Sequence, residues 1–186
     1  MSETASAAKF GGLKMYYSTN YKSPLGEILI ASNENSIVGL WIGKQKYITE
    51  TMPKDITGMD SHPILKEAKA WLDDYFADKK PELSRLPLAP IGGEFRQLVW
   101  KILAEIPYGK LTTYGSIAKE VAKRMGKDRM SARAIGGAVG HNPISIIIPC
   151  HRVVGVNKKL TGYAGGIDMK IKLLTHEGID LTGYVI

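Results

Sequence analysis

A single cysteine, Cys150, stands in a chain of 186 residues, and that count constrains both fold and chemistry. It leaves no internal disulfide and no multi-thiolate zinc site to hold the structure together, so stability must come from packed apolar surface. With 44% hydrophobic residues the chain has the composition for this, and its length suits one domain or two small ones. No apolar run approaches the roughly 18 residues of a membrane-spanning helix, so no membrane partner is expected. The opening Met1-Ser2-Glu3-Thr4 lacks the basic start of a signal peptide, and a cytoplasmic location follows as the expectation.

Cys150 closes an apolar run, Ile144 to Pro149, and is followed at once by His151 and Arg152. The run predicts a buried strand that delivers a thiol to a polar edge. Pro149 holds Ile148 extended and cannot donate to a ladder, so pairing ends there. Adjacent side chains in a strand point to opposite faces, so Cys150 and His151 cooperate only if the chain bends between them or a water bridges them. A free thiol has a pKa near ~8.5 that a neighbouring imidazole or guanidinium lowers, which makes Cys150 a candidate thiolate nucleophile at neutral pH. The same residue type in the same run also fits a small buried hydrophobe.

The net charge of +7 is unevenly placed. Residues 1–100 hold twelve Lys and Arg against twelve Asp and Glu, while residues 101–186 hold thirteen against six. The whole excess lies in the half that carries Cys150, which favours a polyanionic partner, nucleic acid first.

Residues 1–13 are small, polar and aperiodic and predict a tail. Met15-Tyr16-Tyr17-Ser18-Thr19, Gly26 to Ser32 and Ser36 to Ile42 read as strands of an antiparallel meander, separated by turn signals at Ser23-Pro24-Leu25-Gly26 and Asn33-Glu34-Asn35. Ile64, Leu65, Ala68, Trp71, Leu72 and Tyr75 make one stripe of an amphipathic helix that can cover this sheet. No catalytic constellation appears in this half, which reads as scaffold. Leu86-Pro87-Leu88-Ala89-Pro90-Ile91-Gly92-Gly93 is a linker, dividing the chain into domains 14–91 and 92–186.

Beyond it, Phe95, Leu98, Val99, Ile102, Leu103 and Ile106 predict a helix that stops at Pro107-Tyr108-Gly109. Thr112-Thr113 offers an N-cap to a helix from Tyr114 to about Met125, and Ser131 an N-cap to a second from Ala132 to about Val139. Two short helices with a basic turn between them, the second rich in small residues such as Ala132 and Gly136, fit a helix-turn-helix as well as an ordinary helical hairpin. Arg133 stands in the first turn of the second helix, where the dipole disfavours cations, so its place needs another reason.

Taken in order, Tyr108-Gly109, Tyr114, Arg133, Asn142-Pro143, Pro149-Cys150-His151-Arg152-Val153 and Gly162-Tyr163-Ala164-Gly165-Gly166 resemble the O6-alkylguanine-DNA alkyltransferases (methylated-DNA–protein-cysteine methyltransferases). The resemblance spans residues from about 14 to 180. It implies an α+β chain, in the broad α/β class: a ribonuclease-H-like N-terminal antiparallel sheet with a helix, then a mostly helical winged-helix or helix-turn-helix catalytic domain. It implies DNA repair by stoichiometric transfer of the alkyl group of O6-alkylguanine, and more weakly of O4-alkylthymine, to Cys150, without cofactor or metal.

By the same resemblance His151 accepts the thiol proton through a water and Glu177 orients the imidazole. Asn142 braces the turn before the active-site segment, and Tyr114 helps rotate the nucleotide and protonates the guanine ring. Arg133 fills the gap left by the flipped base, with Ser131, Ala132 and Gly136 on the same DNA-facing helix. The Val153 carbonyl receives the exocyclic amine, and Tyr163-Ala164 offers backbone donors near O6. The expected partner is double-stranded DNA carrying alkylated bases, approached through the minor groove by a monomer. Two other readings fit the residues: a thiol hydrolase built on Cys150, His151 and Glu177, and a DNA-binding regulator with an inert or sensing cysteine.

Overall fold

The computed structural model describes residues 15–186; the tail expected over residues 1–13 lies outside them. Strands β1 (Tyr16–Ser23), β2 (Gly26–Ser32) and β3 (Ile37–Ile42) form the antiparallel meander. Its turns are set by side chains: Ser23 Oγ accepts from Leu25 N, and Asn33 Oδ1 accepts from the backbone N–H groups of Asn35 and Ser36. After a one-turn helix α1 (Ile48–Thr51), a short strand β4 (Ile56–Gly58) pairs parallel to β1. The sheet order is therefore β3-β2-β1-β4, mixed at one edge where an antiparallel sheet was expected. Three residues with one apolar side chain carry no periodic signal.

Helix α2 (Pro63–Phe76) begins with proline at its first position and buries Leu65, Ala68, Trp71, Leu72 and Tyr75, the stripe read from sequence. It lies across the sheet, and the core it makes with Ile28, Ile30 and Leu40 continues without a break through Val99, Leu103 and Ile135 to Cys150. On the opposite sheet face Trp41 packs over Gly39, where a Cβ would meet the indole at 1.8 Å, so only glycine fits. Trp41 Nε1 donates to Thr51 Oγ1 at 3.0 Å, anchoring α1.

The C-terminal part packs α3 (Glu94–Ala104), α4 (Tyr114–Arg124) and α5 (Ala132–Gly140) against one another. Trp100 Nε1 donates to Ala138 O at 2.9 Å, tying α3 to α5. Thr113 caps α4 as expected, accepting from Ser116 N at 3.1 Å. Ser131 occupies the N-cap position of α5 but its side chain makes no capping bond. Two short parallel strands, β5 (Thr112–Thr113) and β6 (Val153–Val154), flank the site, and α6 (Ile167–His176) closes it.

The segment expected as a buried strand is not one. Pro143 to Ser145 lies along β3, with Leu40 N donating to Pro143 O at 2.8 Å and Ser145 N to Leu40 O at 2.9 Å, which also covers that sheet edge. The chain then coils tightly. Ile147 N donates to Ser145 O at 2.8 Å around Ile146, whose φ of +68° is the strained form of a three-residue turn. Cys150 N donates to Ile148 O at 2.8 Å around Pro149, whose φ and ψ of −83° and 62° make the relaxed form. A continuous apolar run reads as a strand because burial alone, not alternation, supplies its pattern. The bend required at Cys150 is a single 3₁₀ turn, Cys150–Arg152. Among the described residues no helix is long and apolar enough to cross a membrane.

Candidate active site

The 3₁₀ turn points Cys150 and His151 into the interior from adjacent positions. Cys150 Sγ accepts from Asn142 Nδ2 at 3.1 Å, and the same amide donates to Ile148 O at 2.8 Å, while Asn142 Oδ1 accepts from Ile144 N at 3.1 Å. One buried side chain thus fixes both ends of the coil that carries the thiol. Burial pushes the Cys150 thiol up, against the lowering effect of the Asn142 N–H and of the Lys170 charge. This runs against the expectation of a thiol lowered by its neighbours: the Asn142 N–H and the Lys170 charge do not offset the loss of water.

His151 Nε2 lies 2.7 Å from Glu177 Oε1, and neither side chain is exposed. An ionised carboxylate accepts only, so this nitrogen carries the hydrogen and Nδ1 is left as the acceptor. Nδ1 is buried and has no protein partner among the described residues. Burial lowers the His151 pKa, with the Glu177 charge working against it, so the imidazole is neutral at pH 7 and available as a base.

Glu177 is not a surface carboxylate. It follows α6 directly, and burial acts to raise its pKa, but hydrogen bonds from His151 and Arg152 hold it well below the carboxylate range. Arg152 reaches it with Nε at 2.8 Å and Nη2 at 2.9 Å, Gly109 N at 3.2 Å and Tyr75 Oη at 2.9 Å. Gly109 holds φ at +67°, a left-handed conformation that favours glycine, and its N–H meets the carboxylate.

Two side chains of the N-terminal part, read as scaffold, reach this region: Tyr75, and Gln45, whose Oε1 accepts from Ser145 Oγ at 2.9 Å. Lys46 N donates to Ala164 O at 2.9 Å, so the same loop holds the Tyr163-Ala164 segment. His141, without an expected role, stacks on Tyr47 with centroids 4.0 Å apart and meets Glu50 at 3.3 Å.

Lys170 was also missed. It is fully buried, its Nζ donating to Val153 O at 2.5 Å and Thr161 O at 3.2 Å, and burial lowers its pKa to about 8. Its place three residues after Ile167 and four before Leu174, on an apolar stripe, was the available signal.

Both parts of the chain match one family. Residues 15–90 match the 6-O-methylguanine DNA methyltransferase ribonuclease-like domain, and residues 94–179 the DNA binding domain of the same enzymes. The chain belongs to the 6-O-methylguanine DNA methyltransferase family. It is similar to a methylated-DNA–protein-cysteine methyltransferase of Haemophilus influenzae, 41% identical over 89% of this chain and 87% of that one. A Methanosarcina barkeri enzyme of the same name is 45% identical over 88% and 97%. The structure resembles Mycobacterium tuberculosis OGT in complex with DNA, with a TM-score of 0.74 and 37% identity over 88% of this chain and 92% of that one.

Tyr114 opens α4, half-buried, and its hydroxyl accepts from Thr161 Oγ1 at 3.1 Å, which leaves its own hydrogen free to donate. Its ring rests against Gly136, where a Cβ would lie 4.0 Å away. Ser131, Ala132 and Arg133 are exposed on the first turn of α5. Between α4 and the turn that leads to α5 runs a cleft of about 480 Å³ bordered by Lys119, Lys123, Lys127 and Arg129. The Val153 carbonyl faces Lys170, and Tyr163 Oη is buried beside Cys150 and Ser145. Among the described residues no group of three or more His, Cys, Asp or Glu side chains comes together to hold a metal.

Proposed function

We propose that this chain repairs DNA by direct transfer of the alkyl group of O6-alkylguanine to Cys150, each molecule acting once. What carries the reading is a buried thiol one residue from a neutral, buried imidazole that is locked to an ionised carboxylate, in a chain of the methyltransferase family. In the attack the S–C bond forms as the C–O6 bond breaks, and the electron pair passes to the guanine ring. The thiol proton leaves for His151 Nδ1 through a water, and Glu177 stabilises the imidazolium that results. Asn142 fixes the thiol, and the Tyr114 hydroxyl donates to the ring as charge develops there. With the thiol raised by burial, the proton is lost only as the substrate is attacked.

The partner in this reading is double-stranded DNA with one alkylated base flipped out, a step that costs a few kcal/mol and that phosphate contacts offset. Lys119, Lys123, Lys127 and Arg129 border the cleft that would meet phosphates. The small residues of α5 suit approach through the minor groove, with Arg133 standing in the base stack. Backbone N–H groups of Tyr163-Ala164 would meet O6, and the Val153 carbonyl, with a lone pair beyond its bond to Lys170, the exocyclic amine. The same reading divides the chain near residue 91 into a scaffold and a catalytic domain and takes the protein as a cytoplasmic monomer that needs no cofactor.

Intact-protein mass spectrometry after mixing with excess duplex carrying O6-methylguanine tests it. A gain of about 14 Da, one methyl per molecule, absent from Cys150→Ala, is the expected result. Loss of the lesion without mass gain would make the protein a turnover enzyme, and binding without either change would make it a reader of damage.

A further inference from the structure

We infer that Tyr75, on α2 of the N-terminal part, is a positioning residue for alkyl transfer, setting through Glu177 the orientation and proton affinity of His151. The inference rests on the roles proposed above for His151 and Glu177. Tyr75 and Glu177 are 102 residues apart in sequence, yet the phenol donates to Oε1 at 2.9 Å inside the core. That oxygen is also the one that faces His151 Nε2 at 2.7 Å.

The hydroxyl is not explained by packing. The α2 stripe of Leu65, Ala68, Trp71 and Leu72 asks only for another apolar side chain at position 75, and phenylalanine would fill the same volume. A buried hydroxyl is costly unless it is paired, and the partner here is the carboxylate. The ring is fixed on three sides: Trp71 stacks at 5.6 Å, Tyr108 meets it edge-on at 6.0 Å and His176 lies at 5.0 Å. The Tyr75 carbonyl takes His176 Nε2 at 2.9 Å, so backbone and side chain together grip the end of α6 from which Glu177 projects. The phenol is therefore held in place before any substrate arrives.

The groups around this pair set the sign of its effect. Glu177 faces Tyr75 from α2, Gly109 N from the loop after α3, and His151 and Arg152 from the 3₁₀ turn. The Arg152 and Lys170 charges both disfavour a proton on His151. Tyr108, packed on Tyr75, gives its hydroxyl to Asp78. Burial and the neighbouring carboxylate push the Tyr75 phenol well up, so it remains a donor throughout the working range. A donor on Oε1 draws charge from the oxygen that holds His151. Removing it lets the carboxylate pull harder on an imidazolium, which raises the pKa of His151 and frees its ring to tilt.

The test is the single-turnover rate of methyl transfer from an O6-methylguanine duplex between pH 5 and 9, for the wild type, Tyr75→Phe and His151→Gln. In Tyr75→Phe the acid limb should move up by about half a pH unit and the neutral rate fall by ~3- to 30-fold. Duplex affinity measured in a Cys150→Ser background should not change. If Tyr75 only packs, Tyr75→Phe keeps the wild-type limb while His151→Gln abolishes it, and the inference is overturned. If His151→Gln keeps the wild-type profile, the relay itself is wrong and the inference goes with it. Should Tyr75→Phe fail to fold, 3-fluorotyrosine at position 75 strengthens the donor without changing its shape, and the limb must then move down.

Discussion

Glu177 Oε1 lies 2.7 Å from His151 Nε2, and the two side chains are sealed from solvent together. The carboxylate that makes this contact also holds the buried Arg152 guanidinium. Its folded pKa is depressed below the ordinary 4.5, the Arg152 and His151 hydrogen bonds outweighing burial. A depressed acid contributes stability above its unfolded pKa and loses it as pH falls through the folded value, so this contribution is complete at pH 7 and declines below about pH 5. Glu177→Gln strands Arg152 and should cost roughly 3–5 kcal/mol at pH 7. Urea unfolding at pH 7 and pH 4 should show the gap between wild type and variant narrowing in acid; a gap independent of pH would disprove the assignment.

The thiol gives a second prediction. Burial raises Cys150, and the Asn142 N–H on Sγ is the first of the effects opposing it. The thiolate absorbance at 240 nm should therefore titrate above the ordinary thiol value in the folded protein and at that value in denaturant. Asn142→Ala should move the folded midpoint higher still. It also leaves Ile144 N without its partner and Ile148 O with only the bond from Cys150 N, at a cost of about 1 kcal/mol or more in unfolding. A midpoint below that of the denatured chain would mean that the flanking cations win after all.

Much of this site could be read before its geometry was known, and the reason differs by residue. Cys150, His151 and Asn142 lie within nine residues of one another, and a short motif carries its own context. Glu177 lies further on and is placed only by the family pattern, since a carboxylate after a helix reads as surface. Tyr75 and Gln45 had no signal, because a pattern in one segment does not state which distant group it will meet. Lys170 was legible in principle as a charge on an apolar stripe. The meander and the α2 and α3 helices followed their periodicities closely, and the failure at Ile144 to Pro149 came where three isoleucines mimic strand while Ile146 and Pro149 turn the backbone.

Lys170 supplies a third prediction, best made in a Cys150→Ala background where the thiol does not titrate. Burial lowers its pKa to about 8 from the ordinary 10.5. Between these values the unfolded chain binds a proton that the folded protein has released, so stability should rise with pH across that window, by up to about 3 kcal/mol. Thermal melts from pH 7 to 10.5 should show this rise, and Lys170→Met should lack it. The same variant leaves Val153 O and Thr161 O unpaired and should be less stable than its parent above pH 10.

Substitution of Arg133 should separate recognition of a duplex from chemistry at the thiol. Arg133 is exposed on the first turn of α5, where the helix dipole opposes a cation, so it does little for folding, and Arg133→Ala should leave stability unchanged or raise it by a few tenths of a kcal/mol. If its guanidinium occupies the stack in place of a flipped base, the variant should lose about 10-fold or more in repair of a methylated duplex. Its reaction with the free base O6-methylguanine, which needs no flipping, should match the wild type. Lys119→Ala and Lys123→Ala, at the edge of the basic cleft, should behave differently. Each weakens duplex binding whatever its sequence and reduces the salt dependence by about one ion, without changing the rate at saturating DNA. An Arg133→Ala protein that repairs duplex and free base equally well would return Arg133 to the class of phosphate contacts, and the cation at the wrong end of α5 would again need a reason.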